Sequence, residues 1–292
     1  MWITSTWSAS VIVDPFATRE GVVEPVADNV EETGGVRAVK SAVRTVELLE
    51  YLAARRNRPA RLRELSEALG VPRSSLHALL RTLAKQGWVR TDSSGSMYGI
   101  GIRALLAGTS YLDSDPYLPI VLPYLDELRE QLDETFHLGR LDGADVVYLA
   151  TRESSQYLRP YSRIGRRLPA YTTSLGKVLL AERSPEQRRG HIPETLEALT
   201  PHTITDHSAL DAELDRTRKR GYAIDEQENS LGLRCYAVAL HYSEPANDAI
   251  SVSIPLARLT PQRELEVVEV MCQVRDKISR VVNPMTGGHV WL

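Results

Sequence analysis

Residues 61–87 read RLRELSEALGVPRSSLHALLRTLAKQG, and this stretch decides the fold of the first part of the chain. Leu62, Leu65 and Leu69 recur at the spacing of one helix face, which predicts a short helix over about 61–69. Gly70 stands where a left-handed residue closes a helix. Val71-Pro72 then opens a second helix from about Arg73 to Gln86, with Leu76, Leu79, Leu80 and Leu83 inward and Gly87 as its stop. A turn of about three residues sets two helices at a steep angle, so that the second can lie in a major groove while the first braces it.

Working outward, Val39, Val43, Val46, Leu49 and Leu52 predict an amphipathic helix that begins near Val36 and stops before Asn57-Arg58-Pro59. On the other side, Trp88-Val89-Arg90 and Met97-Tyr98 read as two short strands around the turn Asp92-Ser93-Ser94-Gly95. Helix, helix, glycine turn, helix and hairpin together make a winged helix-turn-helix over 36–98. With the four leucines inward, Arg73, Ser74, Ser75, His77, Ala78, Arg81, Thr82 and Lys85 are left on the outer side or flanks of the second helix. Three of these are cationic, and Ser and His side chains can contact phosphates or bases. The charge distribution agrees: residues 36–110 carry 13 basic and 5 acidic groups, residues 111–292 carry 21 and 27, and residues 1–35 carry 1 and 6. A basic module is joined to acidic ones, as expected where phosphate contacts come from one domain.

Residues 1–35 lack periodicity and read as a disordered leader without a signal-peptide pattern. Residues 99–115 read as a linker helix with Ile102, Leu105 and Leu106 buried, closed by Asp113-Ser114-Asp115-Pro116. Because so small a DNA domain has few partners for those side chains, they are expected between chains or domains, which predicts a homodimer or tetramer. The second domain, 116–282, mixes helices and strands. A helix over about 117–132 precedes strands Thr135–Leu141 and Asp145–Arg152, joined across Asp142-Gly143. A strand near Tyr157–Ser162, a helix over about 173–182 and another over 210–220 follow. Strands Tyr222–Asp225, Leu233–His241 and Ala249–Pro255 and a final helix from Pro261 complete it, and 283–292 reads as a tail.

Several chemistries are disfavoured. No apolar run approaches the roughly 20 residues of a membrane helix, so no membrane partner is expected and the location is read as cytoplasmic. Cys235 and Cys272 form no CxxC or Cys/His cluster, which argues against a disulfide framework or structural zinc. Gly99-Ile100-Gly101-Ile102-Arg103-Ala104 imitates a dinucleotide fingerprint but follows a wing strand rather than opening a βαβ unit. Ser174-Leu175-Gly176-Lys177-Val178 lacks the first glycine and the magnesium-binding hydroxyl of a phosphate loop. His202 and His207 read as loop surface rather than a metal pair, and no cofactor or metal is expected.

Four blocks in order resemble the IclR family of bacterial transcription regulators over about 36–282. They are Val39-Lys40-Ser41 to Glu50, Leu65 through Gly70-Val71-Pro72-Arg73-Ser74-Ser75 to Gly87, Leu168-Pro169 through Gly176-Lys177 to Ala181, and Gly221 through Glu228 to Cys235. The chain departs from the family pattern at Ala78, Ser174-Leu175 and Gln227. The resemblance implies a winged helix-turn-helix joined to a GAF-like α/β effector domain, with dimers that pair into tetramers on a double-stranded DNA operator. It places Asp225, Cys235, Ser251 and Ser253 around a small organic-acid effector.

The residues themselves support part of this. Ser251 and Ser253 alternate on one strand and share a face, and the alternation separates Cys235 from Tyr236. Thr172 or Thr173 can cap a helix that starts near Ser174-Leu175, where backbone N–H groups and the helix dipole suit a carboxylate. An ionised Asp225 beside an anion is repulsive, so the acid is expected to carry a donor group next to its carboxylate. The competing reading is an enzyme with Cys235 as nucleophile, Asp225 as acid or base and a partner among His137, His191, His202, His207 or His241. No nucleophile motif supports it.

Overall fold

A computed structural model of the 292-residue chain describes residues 38–55 and 57–282. The predicted leader, the start of the first helix at Val36 and the predicted tail lie outside the described residues. The chain divides into two compact units between Ser114 and Asp115, so the linker helix belongs with the first.

The first unit runs α1 (Lys40–Ala54), β1 (Ala60–Arg61), α2 (Leu62–Leu69), α3 (Arg73–Lys85), β2 (Val89–Thr91), β3 (Met97–Ile100) and α4 (Ile102–Asp113). Its core is Leu48, Leu52, Ala60, Leu65, Val71, Leu76, Leu80, Leu83, Val89 and Tyr98. Gly70 caps α2 with φ of 62°, the left-handed conformation that glycine enters without a Cβ penalty. The wing pairs β1 and β2 on either side of β3; a two-residue strand such as β1 is too short for any periodicity to reveal.

Two expectations about the helices of this unit are corrected. Val39, Val43 and Val46 are exposed, and of the expected face only Leu49 and Leu52 pack, together with Leu48. The linker helix starts at Ile102, because Gly99 and Ile100 belong to β3, and Ile102, Leu105 and Leu106 are 66%, 59% and 52% exposed in the single chain. The Gly99-x-Gly101 pair also finds its explanation. Gly101 donates its N–H to Trp88 O at 2.7 Å, and a Cβ there would sit 2.2 Å from Gly87 O. That glycine permits a backbone crossing.

The second unit runs α5 (Leu118–Leu132), β4 (Thr135–Asp142), β5 (Asp145–Arg152), β6 (Arg167–Pro169), α6 (Ser174–Ala181), α7 (Pro185–Arg188), α8 (His207–Arg220), β7 (Ala223–Glu226), β8 (Leu233–Leu240), β9 (Asp248–Pro255) and α9 (Pro261–Val282). Six antiparallel strands form one sheet in the order β6-β5-β4-β9-β8-β7. The third strand is β6, not the expected Tyr157–Ser162. Tyr157 and Tyr161 are exposed there, 98% and 69%, so the β-prone residues 157–162 are a surface loop, and tertiary context overrides propensity.

The sheet has two unlike faces. Phe136, Leu138, Tyr236, Val238, Ile250 and Val252 fill the face that takes α5 and α9. The opposite face bears the small residues Gly139, Ala237, Ala239 and Ala249, over which α6 packs. A Cβ at Gly139 would meet Leu175 Cδ1 at 2.9 Å, so the glycine lets the helix approach.

Candidate functional site

On the first unit, Leu76, Leu80 and Leu83 hold α3 to the core, and Leu79 is partly buried beside them. Arg73, Ser74, Ser75, His77, Ala78, Arg81, Thr82 and Lys85 are all exposed, and Ala84 is half-buried. The structure therefore gathers the six predicted contact residues, Arg73, Ser74, Ser75, His77, Arg81 and Lys85, on the outward side of the second helix of the helix-turn-helix. Arg73 and Arg81 lie two helical turns apart along that side, the reach of a groove-lying helix.

On the second unit, strand register decides the site. Asp225 pairs with Cys235, Cys235 with Ser253, and Ser253 with Thr135, so four polar residues form one row across β7, β8, β9 and β4. The next row brings Ala237, Ser251, His137 and Thr151 together. Directly opposed residues in antiparallel strands share a face, and this is the α6 face. Asp225, Ser251, Ser253 and His137 are 4%, 2%, 7% and 2% exposed, which makes the polar rows an interior feature.

Above them α6 begins at Ser174. Of the two candidate caps, Thr173 serves: its hydroxyl accepts from Gly176 N at 3.0 Å. Thr172 instead donates to Pro169 O and accepts from Asn229 Nδ2, both at 3.0 Å. The amides of Ser174 and Leu175 open the helix, where no intrahelical carbonyl can reach them. Leu175 is committed to packing against Gly139, so its contribution to a ligand would be its backbone N–H.

Sequence reasoning missed Lys177 and Glu228. Lys177 is fully buried on α6 and forms an ion pair with Glu228, whose backbone N–H donates to Asp225 Oδ1 at 2.7 Å. A buried lysine is legible only through its partner, here 51 residues away. Burial chiefly, with Glu228 adding to it and Lys177 opposing, pushes the Asp225 carboxyl up to about 7. It is therefore poised between acid and carboxylate near neutral pH.

A pH dependence follows. The folded pKa lies above the ordinary value, so between about 4 and 7 the native state holds a proton that the unfolded state has released, and stability falls as pH rises through that window, by at most about 1.4 kcal/mol per pH unit. Urea denaturation between pH 5 and 8 should show a steeper decline for the parent than for Asp225→Asn; parallel curves would exclude this role for Asp225.

The nucleophile reading of Cys235 gains nothing. Its sulfur has the Ser253 hydroxyl at 3.3 Å rather than a histidine. Burial first, then Asp225, holds the thiol well above its usual value, which disfavours the thiolate. His137 Nδ1 faces Thr151 Oγ1 at 3.1 Å, His191 Nδ1 the carbonyl of Gly143 at 2.6 Å, and His207 Nε2 that of Glu194 at 3.0 Å. His241 pairs with Glu182 at 3.1 Å.

The model of the IclR helix-turn-helix domain matches residues 41–93, and that of the bacterial transcriptional regulator IclR C-terminal domain matches residues 109–280. The chain belongs to the IclR family. It is 35% identical over 265 residues to the transcriptional repressor IclR of Escherichia coli, covering 87% of this chain and 93% of that protein. The crystal structure of a putative transcriptional regulator from Rhodococcus matches 85% of this chain and 100% of its own with a TM-score of 0.71 at 27% identity. An IclR homologue from Microbacterium hydrocarbonoxydans, crystallised with 4-hydroxybenzoate, shares the fold with a TM-score of 0.69 at 21% identity over 84% of this chain and 99% of that one. As an IclR-type transcription regulator, the chain joins a helix-turn-helix DNA-binding domain to a C-terminal effector domain, and its relatives give the enzyme reading no support.

Proposed function

We propose that the protein is a cytoplasmic regulator, without catalytic activity, that binds a roughly two-fold symmetric operator through α3 and changes its DNA affinity when a small organic acid occupies the space between the start of α6 and the face bearing Asp225, Cys235, Ser251 and Ser253. One observation carries the effector reading: polar residues occupy two buried rows of a sheet face that elsewhere under α6 bears the small residues Gly139, Ala239 and Ala249. Burying hydroxyls and a carboxyl where apolar side chains would fit costs stability, and a ligand that hydrogen-bonds them offsets that cost. The first amides of α6 suit a carboxylate. Asp225, half protonated near pH 7, suits a hydroxyl or amine beside it. The homologue that holds 4-hydroxybenzoate supports an organic acid as the ligand class.

Ligand and DNA must then affect each other reciprocally, through a coupling of about 1–3 kcal/mol. A panel of small carboxylates, screened by thermal shift and then titrated calorimetrically, tests this. Ser251→Ala with Ser253→Ala is expected to weaken the binding of a hit while DNA binding by the free protein stays close to that of the parent; unchanged affinity would place the site elsewhere. Arg73→Ala or Arg81→Ala is expected to cost about 1–3 kcal/mol of operator binding where the side chain reads a base, and to lower the salt dependence where it neutralises a phosphate. Parent-like binding by both variants at matched salt would displace α3 as the recognition helix.

A dimeric or tetrameric assembly is part of the proposal. Ile102, Leu105 and Leu106 form a stripe on α4 with more than half of each side chain exposed, an arrangement a monomer rarely keeps. Light scattering at micromolar concentration is expected to report a dimer or larger, and a monomer with and without DNA would refute it.

A further inference from the structure

The polar rows do not end at Ser251. The register His137↔Thr151 and Gly139↔Tyr148 places His137 and Tyr148 on the same sheet face as Ser251, and their rings meet edge to face with centroids 4.9 Å apart. Tyr148 N donates to Arg166 O at 2.9 Å and Tyr148 O accepts from Gly165 N at 2.8 Å, so residues 165 and 166 close against Tyr148 just beyond the pairing Val147↔Arg167. The Arg166 guanidinium is steadied by the carbonyl of Tyr161, at 3.2 Å from Nη1. His137 and Tyr148 both feel the Arg166 charge. Tyr148 also feels Cys235 and Asp225, which lie three and four strands away in sheet order. A flat sheet would hold Asp225 and Tyr148 roughly 19 Å apart at about 4.8 Å per strand, so the sheet curls and turns both ends of the polar face toward one space.

The three groups share a chemistry. Burial and the neighbouring arginine hold His137 down to about 3, so its imidazole is neutral, with one ring nitrogen engaged by Thr151 and the other able to donate. Burial keeps the Tyr148 phenol protonated, a second donor. Arg166, half-buried, supplies donors and a full positive charge. Donors around a cation complement an acidic group, whereas the Asp225 end offers an acceptor and hydroxyls.

We infer that His137, Tyr148 and Arg166 form a second polar subsite holding an acid group at the far end of the effector, which is therefore a two-ended acid. This rests on the effector-site reading above and names the ligand class for that site. The probes are straight-chain dicarboxylates of three to six carbons, the monocarboxylates of equal length, and the corresponding ω-hydroxy acids, titrated calorimetrically into the full-length protein. One dicarboxylate is expected to bind tighter than its monocarboxylate and hydroxy-acid counterparts by about tenfold or more, the effect of one charge-assisted contact. Tyr148→Phe removes only the hydroxyl, and Arg166→Gln removes the charge while keeping a polar side chain. Each is expected to remove most of that preference while leaving monocarboxylate affinity, melting temperature and DNA binding by the free protein close to those of the parent. Equal binding of mono- and dicarboxylates, equal binding of the hydroxy acids, or a preference that survives Arg166→Gln would overturn the second subsite and leave the first standing. Failure of every carboxylate to bind the parent would overturn both.

Discussion

Arg140→Ala is expected to destabilise the effector domain by about 3–5 kcal/mol, the cost of leaving buried carboxylates without their cation. Arg140 donates from Nε and Nη2 to the two oxygens of Asp248, both at 2.6 Å, and Nη2 also reaches Asp115 Oδ2 at 2.8 Å. The side chains of Asp115 and Asp248 are 3% and 1% exposed. Asp115 is the first residue of the second unit and caps α5 by accepting from Tyr117 N and Leu118 N, each at 2.9 Å. Tyr242 donates its hydroxyl to Asp248 and stacks on Tyr117 at 4.0 Å. One guanidinium thus joins the entry of the domain to β4 and to β9, the strands that carry His137, Ser251 and Ser253. Urea denaturation followed by circular dichroism measures the loss, and a midpoint within error of the parent's would show that the carboxylates find other partners. Arg140→Lys should recover only part of the stability, because an ammonium cannot make the two-pronged contact.

Gly176→Ala is expected to be as damaging for a different reason. A Cβ at Gly176 would lie 2.1 Å from Ala170 O and 2.3 Å from Ala170 Cα. Those are backbone atoms of the segment leading into α6, and no rotamer change relieves the overlap. Overpacking typically costs about 1–3 kcal/mol and more where backbone must move, and here the displaced helix is the one that carries Ser174, Leu175 and Lys177. Both stability and binding of a carboxylate hit should fall, by denaturation and calorimetry respectively. Gly108→Ala is the control: the position is helical, exposed and open on all sides, so alanine there is expected to stabilise by up to about 1 kcal/mol. Equal effects at the two glycines would mean that the close approach at Gly176 is not what constrains it.

Helix α3 was readable residue by residue from its leucine spacing and from Gly70 and Gly87, because a helix face is decided by neighbours three and four positions away. The first helix shows the limit of the same rule. Val39, Val43 and Val46 obey the spacing yet lie exposed, since periodicity identifies an apolar stripe but not which chain covers it. Lys177 and Glu228 fall in stretches that resemble the family, but nothing local shows that they pair, and Arg166 and Tyr148 carried no mark, because their contacts come from segments far apart in the chain.

The sequence by itself determined the helix-turn-helix with its glycine stops, which strand residues alternate together, and the family, because caps, turns and periods are short-range properties written in consecutive residues. Only the tertiary structure decided that Asp225, Cys235, Ser253 and Thr135 stand in one row, that β6 rather than residues 157–162 closes the sheet, and that Arg166 meets Tyr148. The physical reason is that strand register and buried charge pairing depend on contacts between segments up to more than a hundred residues apart, as in Arg140 with Asp248, and a shift of one residue in any strand would turn its side chains to the opposite face.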